Sequence, residues 1–133
     1  MPELIVPTTR LHNAWLDSHR EWAGEREDGA GLSNADDTLS PEGFRRWVDR
    51  LRRSENHSYP ADPGWVHTSV RWIVEDDRML GAIALRHEIN DFLLTIGGHI
   101  GYGIRPSARR HGLATFALAR TLAKRASSAW IGY

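Results

Sequence analysis

The sequence contains no cysteine among its 133 residues, which excludes disulfide bonds, thiolate metal sites and cysteine nucleophiles. It also lacks an apolar run of the roughly 18 residues that a membrane-spanning helix needs. The first ten residues, MPELIVPTTR, do not resemble a secretory signal. The seven histidines show no metal-ligand spacing such as H-E-x-x-H. These absences predict a cytoplasmic protein with no metal and no membrane partner.

Acidic residues are missing from one end of the chain. The totals balance at 17 basic and 17 acidic residues, but residues 1–66 hold 8 basic and 12 acidic, and residues 67–133 hold 9 and 5. From Phe92 onward there are six basic side chains and no carboxylate. This end offers a positive field to an anion, whereas the acidic first half argues against binding along a nucleic acid.

Two helices are predicted in the first half. The spacing of Leu11, Trp15 and Trp22 predicts an amphipathic helix over residues 9–25. Ser40 followed by Pro41 is a typical helix start, and the second helix has an apolar face that runs to residue 51. The acidic loop, residues 24–39, joins them. It is predicted to be either a surface flap that faces a substrate or a disordered segment.

The second half reads as a sheet followed by one helix. Residues 66–75 and 79–86 predict a hairpin with its turn at 76–78, residues 92–96 a short strand, and residues 99–105 a strand ended by a proline. Residues 113–126 are good helix formers. We expect one α/β (α+β) domain over 1–133: helices in 9–51, a mixed, mainly antiparallel sheet in 65–105, and a loop and helix in 106–126.

Residues 97–115, GGHIGYGIRPSARRHGLAT, carry the strongest chemical signal. A strand passes through a turn directly into a helix, and the N–H groups at a helix N-terminus bind anions. Arg109 and Arg110 add charge there, and Gly112 allows a ligand close to the backbone. The segment predicts a phosphate or pyrophosphate site. The alternative is that the glycine only makes the turn and the arginines are solvated.

The same segment resembles a known signature. Arg109-x-x-Gly112-x-Ala114 is similar to R/Q-x-x-G-x-G/A, the acyl-CoA motif of the GNAT superfamily of N-acetyltransferases. LGAIALRH at 80–87 and GHIGYGIRPS at 98–107 resemble runs in a bacterial subgroup of predicted acetyltransferases. The resemblance covers about residues 65–126 and implies a GNAT-like fold, acetyl-CoA as cosubstrate and a primary amine as acceptor that attacks the thioester directly.

The resemblance also implies roles for particular residues. The cofactor-binding set would be Ile104, Arg105, Arg109, Arg110, His111, Gly112, Leu113, Ala114 and Thr115. The strand 100–104 would pair with the pantetheine arm, and the backbone amide of Ile104 would polarise the thioester carbonyl. Gly101 and Gly103, on one face of that strand, indicate either this ligand or tight packing. From the residues themselves, Glu88, Asp91 and His99, together with His87, are the candidates for the catalytic base.

The family fold continues after this helix with further strands that this sequence lacks. We therefore expect a shortened fold without its C-terminal strands, and a homodimer that covers the exposed sheet edge. The alternative to an enzyme is a noncatalytic acyl-CoA-binding or interaction module. The acceptor stays open, because the acidic loop suits a cationic amine but is equally explained as a solvated flap.

Overall fold

A computed structural model describes residues 1–33, 35–61, 66–87 and 100–127, the last six of these by their backbone alone. Short 3₁₀ turns at Thr9–Leu11 and Pro106–Ala108 accompany the main elements. In chain order, the main elements are β1 (Glu3–Ile5), α1 (His12–Trp22), α2 (Pro41–Ser54), β2 (Thr68–Glu75), β3 (Arg78–Arg86), β4 (Ile100–Ile104) and α3 (Leu113–Ser127).

The strands form one sheet in the order β1-β2-β3-β4, and each neighbouring pair is antiparallel. The turn between β2 and β3 places Asp76 and Asp77 at φ values of 52° and 60°, the left-handed conformation that tight hairpins use. The register shifts between Ile73 and Val74, so β3 contains a bulge. The expected α+β class with a mainly antiparallel sheet is confirmed.

Helices cover both faces of the sheet. On one face, α1 and α2 pack an aromatic cluster of Trp15, Phe44 and Trp47 against Trp72 of β2. On the other face, α3 packs against a smaller aliphatic cluster that includes Ile83. Because strand residues alternate between faces, β4 directs its glycines toward α1 and α2 and its isoleucines toward α3.

The start of α2 follows the predicted signal. Ser40 has extended backbone angles, and its Oγ accepts a hydrogen bond from the Gly43 N–H at 3.0 Å, with Pro41 in the first turn. The Ser40 hydroxyl donates to Asp37 at 2.5 Å. That hydrogen bond lowers the pKa of the Asp37 carboxyl. The predicted helix start is confirmed, and the Asp37 carboxylate in turn accepts a hydrogen bond from the capping hydroxyl.

Two features differ from the sequence predictions, and one predicted strand cannot be compared. The first helix ends at Trp22 rather than residue 25, because Ala23 takes a left-handed φ of 51° and its N–H bonds to the Arg20 carbonyl. The short β1 was not predicted. The expected strand at 92–96 lies outside the described residues. Among the helices described, none is long and apolar enough to cross a membrane.

Candidate functional site

A groove of about 600 Å³ runs along β4 at the end of α1. We call it the edge groove; one wall comes from β4 and the turn after it, and the other from Trp22, Glu25 and Asp28. Seven of the nine residues expected to bind a cofactor line it. They are Ile104, Arg109, Arg110, Gly112, Leu113, Ala114 and Thr115. Arg105 and His111 are not among the described lining residues.

The backbone of β4 faces the edge groove with hydrogen-bonding groups. Within the described part of the chain β4 is an edge strand, paired only with β3. The Arg105 N–H donates to the Leu80 carbonyl at 2.8 Å, and bonded and non-bonded pairs alternate in an antiparallel ladder. Tyr102 and Ile104 therefore direct their N–H groups away from β3. The Ile104 carbonyl, on the same side, accepts from Arg109 Nε at 3.0 Å.

The turn that leads into α3 places left-handed residues directly before a helix N-terminus. Arg110 and Gly112 both have positive φ values, 69° and 76°. The first turn of a helix adds N–H groups with no acceptor in the helix itself. The groove at Gly112 is open, because a Cβ built there would meet nothing within 4 Å.

The two arginines of this turn differ in their contacts. The Arg109 guanidinium lies 5.2 Å from the centre of the Trp22 ring and 4.0 Å from a Glu25 oxygen. It therefore bridges the two walls of the edge groove. Arg110 is exposed and makes no ion pair with any described residue. The turn thus carries a net positive charge.

Arg105 is occupied inside the protein. It is 4% exposed, pairs with Glu21 at 2.5 Å and Asp17 at 3.1 Å, and donates to the Met79 carbonyl at 3.2 Å. Glu21 also accepts hydrogen bonds from the hydroxyl and the N–H of Ser107. The hydrogen bond from the Ser107 hydroxyl, followed by those from the Ser107 N–H and from Arg105, lowers the pKa of Glu21 to about 2. This cluster ties α1 to the start of the turn.

The acidic loop packs on the glycine face of β4. A Cβ on Gly103 would lie 2.6 Å from the Asp28 carbonyl, and a Cβ on Gly29 would lie 2.7 Å from the Gly101 carbonyl. Of the two interpretations of the strand glycines, close ligand approach and tight packing, the structure favours packing on this face. Trp47 Nε1 donates to the Gly31 carbonyl at 3.2 Å and holds the loop to α2.

The carboxylates of this loop have partners within the protein. Glu27 is hydrogen-bonded to His19, and burial raises the pKa of this carboxyl. The other four contacts are Glu25 with Arg109, Asp28 with Arg26, Asp36 with Arg50, and Asp37 with Ser40. The loop therefore presents less free negative charge than its composition indicates.

The candidates for the catalytic base divide into two groups. Glu88, Asp91 and His99 lie outside the described residues. His87 is described: its Nε2 is 2.7 Å from Ser69 Oγ, and its Nδ1 is 2.7 Å from His57 Nε2. No spacing in the sequence connects these three residues. Tyr102, which is 44% exposed and lines the edge groove, could have been found from its alternation with Ile104 along the strand.

Comparisons with known proteins bear on the fold. No protein-family model matches the chain, and no curated protein sequence matches it. It is similar to the crystal structure of an acetyltransferase from Salmonella typhimurium that modifies the N-terminal serine of 50S ribosomal subunit protein L7/L12. The TM-score is 0.61 at 16% sequence identity, covering 97% of this chain and 66% of that chain. The chain therefore has the fold of a GNAT acetyltransferase.

Proposed function

We propose that this protein is an N-acetyltransferase that takes acetyl-CoA into the edge groove and acetylates a primary amine. One observation carries the proposal: the groove joins a positively charged turn at 109–112, at the N-terminus of α3, to a strand edge with outward N–H groups at Tyr102 and Ile104. A long cosubstrate with a pyrophosphate at one end and amide groups along its arm has matching chemistry. The likeness to an acetyltransferase fold supports the same conclusion.

The described residues match the chemistry of acetyl-CoA in two regions. The positive-φ turn and the first turn of α3 provide N–H donors for the pyrophosphate, and Arg110 provides charge. Tyr102 and Ile104 provide backbone groups for the amides of the pantetheine arm, as a strand edge does for a peptide. A volume of about 600 Å³ lies within the usual range for ligand sites, roughly 300–1,000 Å³.

The reaction is an acyl transfer with no covalent enzyme intermediate. The neutral nitrogen of the acceptor attacks the thioester carbon, the new C–N bond forms, and the C–S bond breaks. The nitrogen gives up one proton, and the sulfur of CoA takes up one. In this scheme the Ile104 N–H donates to the carbonyl oxygen as negative charge develops there. Glu88 and His99 are the groups that we assign to proton removal from the acceptor.

Isothermal titration with acetyl-CoA and with CoA tests the donor site. The double variant Arg109→Ala/Arg110→Ala is expected to bind both ligands about tenfold to a hundredfold more weakly, because charge-assisted contacts are lost. The control is Arg45→Ala/Arg46→Ala, which removes an adjacent, exposed pair of arginines from α2. The control keeps the parent affinity. Equal losses in the two double variants, or no binding by the folded parent, would contradict the proposal.

Release of free CoA thiol in the presence of primary amines tests the enzymatic part. Turnover by the parent, with kcat reduced in Glu88→Gln or His99→Gln and binding of acetyl-CoA retained, supports the assigned proton transfer. Tight binding without turnover on any amine would favour the noncatalytic acyl-CoA-binding module instead.

A further inference from the structure

The side chain of Arg109 lies across the edge groove. A 3₁₀ turn at Pro106–Ala108 follows β4 and folds the chain back on the end of the strand. The Arg109 Nε therefore reaches the Ile104 carbonyl and donates to it at 3.0 Å. The guanidinium continues to the opposite wall, where it lies 5.2 Å from the centre of the Trp22 ring. One side chain thus connects both walls of the groove.

The Ile104 carbonyl belongs to the strand edge that we assign to the pantetheine arm. In an antiparallel strand the N–H and the C=O of one residue point to the same side. Tyr102 and Ile104 therefore present two donors and two acceptors to the groove, and Arg109 already occupies one acceptor. Because a charged donor forms a stronger hydrogen bond than a neutral one, a neutral amide N–H competes poorly for this carbonyl.

The contacts that hold Arg109 across the groove are of a kind that phosphate can replace. Its ion pair with Glu25 is long, at 4.0 Å, and the two side chains are 47% and 68% exposed, so solvent screens the pair strongly. The contact with Trp22 is a cation–π interaction, which is weak at an exposed site. A pyrophosphate carries more negative charge than one carboxylate and forms charge-assisted hydrogen bonds with a guanidinium. A pyrophosphate at this turn therefore attracts Arg109 away from the strand.

Arg110, the next residue, does not take part in these contacts. It is exposed, has a left-handed φ of 69°, and makes no hydrogen bond or ion pair with any residue that the structure describes. It adds positive charge at the turn without covering the strand edge. The two adjacent arginines therefore form a matched pair, of which only Arg109 blocks the path of the arm.

We propose that Arg109 determines donor specificity: it closes the edge groove to pantetheine thioesters that lack a pyrophosphate and opens it to acetyl-CoA. The pyrophosphate draws the guanidinium from the Ile104 carbonyl to the turn, and the strand edge then pairs with the pantetheine arm. Binding at one end of the donor is thus required for binding at the other. This inference rests on the proposed use of acetyl-CoA, but the binding of pantetheine alone tests it separately.

Pantetheine and CoA are matched ligands, because pantetheine retains the arm but lacks the pyrophosphate and the nucleotide. Protein-observed NMR titration, which measures weak affinities, gives dissociation constants for the parent, Arg109→Ala and Arg110→Ala. Arg109→Ala is expected to bind pantetheine about threefold to tenfold more tightly than the parent, because no side chain competes for the Ile104 carbonyl. Arg110→Ala should bind pantetheine as the parent does. The preference for CoA over pantetheine falls in both variants.

Glu25→Gln provides a second test that keeps Arg109 and its packing. It removes the ion pair on the far wall and is expected to raise the affinity for pantetheine about twofold. Pantetheine is neutral, so it does not respond to the lost charge itself. The control is Asp28→Asn, because Asp28 lines the same wall but pairs with Arg26. Equal gains in the two variants would contradict a role for the contact with Arg109.

The outcomes separate this inference from the proposed function. Unchanged or weaker pantetheine binding by Arg109→Ala would overturn the specificity role, even in a protein that binds CoA and transfers acetyl groups. Tighter pantetheine binding by this variant, in a protein that releases no CoA thiol with any amine, would support the specificity role and contradict the transferase. Absence of pantetheine binding by the parent and by every variant would overturn the inference, and CoA binding by the parent would then leave the proposed donor site intact.

Discussion

Two glycines of the acidic loop provide a test of how the loop packs on the sheet. Gly24 and Gly29 have similar positive φ values, 86° and 80°, so alanine at either position costs about 1–2 kcal/mol of backbone strain. Their surroundings differ. A Cβ on Gly24 would meet nothing within 4 Å, whereas one on Gly29 would be 2.7 Å from both the Gly101 carbonyl and the Tyr102 Cα. Backbone atoms of a sheet cannot move aside cheaply.

The expected loss of unfolding free energy is therefore larger for Gly29→Ala. Overpacking adds about 1–3 kcal/mol, for a total of about 2–5 kcal/mol against about 1–2 kcal/mol for Gly24→Ala. Urea unfolding followed by tryptophan fluorescence measures both variants. With a slope of about 1–3 kcal/mol per molar urea, the two midpoints should be clearly separated. Equal midpoints at equal slopes would refute the close contact between the loop and β4.

Three other predictions concern the α2 cap, the anchor of α1 and the turn. Ser40→Ala is expected to destabilise the protein by about 1 kcal/mol through loss of the cap, seen as a lower urea midpoint. Glu21 has a depressed pKa of about 2 in the folded state, so its contribution is present above about pH 4.5 and is lost as pH falls toward 2; Glu21→Gln should flatten the stability profile in that range. Gly112→Ala should weaken acetyl-CoA binding in titration, whereas Gly24→Ala should not.

The local features of the fold could be predicted from the sequence because neighbouring residues determine them. Ser40 and Pro41 mark the start of α2, and the turn at residues 76–78 marks the hairpin. The end of α1 was missed because Ala23 takes a left-handed conformation that its side chain does not indicate. Strand β1 has only three residues, too few for a periodic pattern.

The candidate site, like the fold, could be predicted only where its residues are close together in the sequence. The turn at 109–112 is contiguous, so its arginines and glycine were visible together. The occupation of Arg105 by Glu21 was not, because 84 positions separate the two residues. A cavity between α2 and the sheet is lined by both Arg53 of α2 and Arg86 of β3, and no local spacing brings these two side chains together. Only the packing of α2 on the sheet does so.

The contacts of Glu21 with Arg105 and Ser107 also connect the edge groove to the folding of the whole chain. Its two walls come from parts of the chain that are 84 positions apart, and β3 must pair with β4 before they can meet. Long-range closures of this kind need most of the chain to be ordered first. A ligand of the edge groove consequently binds the folded chain alone, and its binding energy raises the melting temperature of the whole fold.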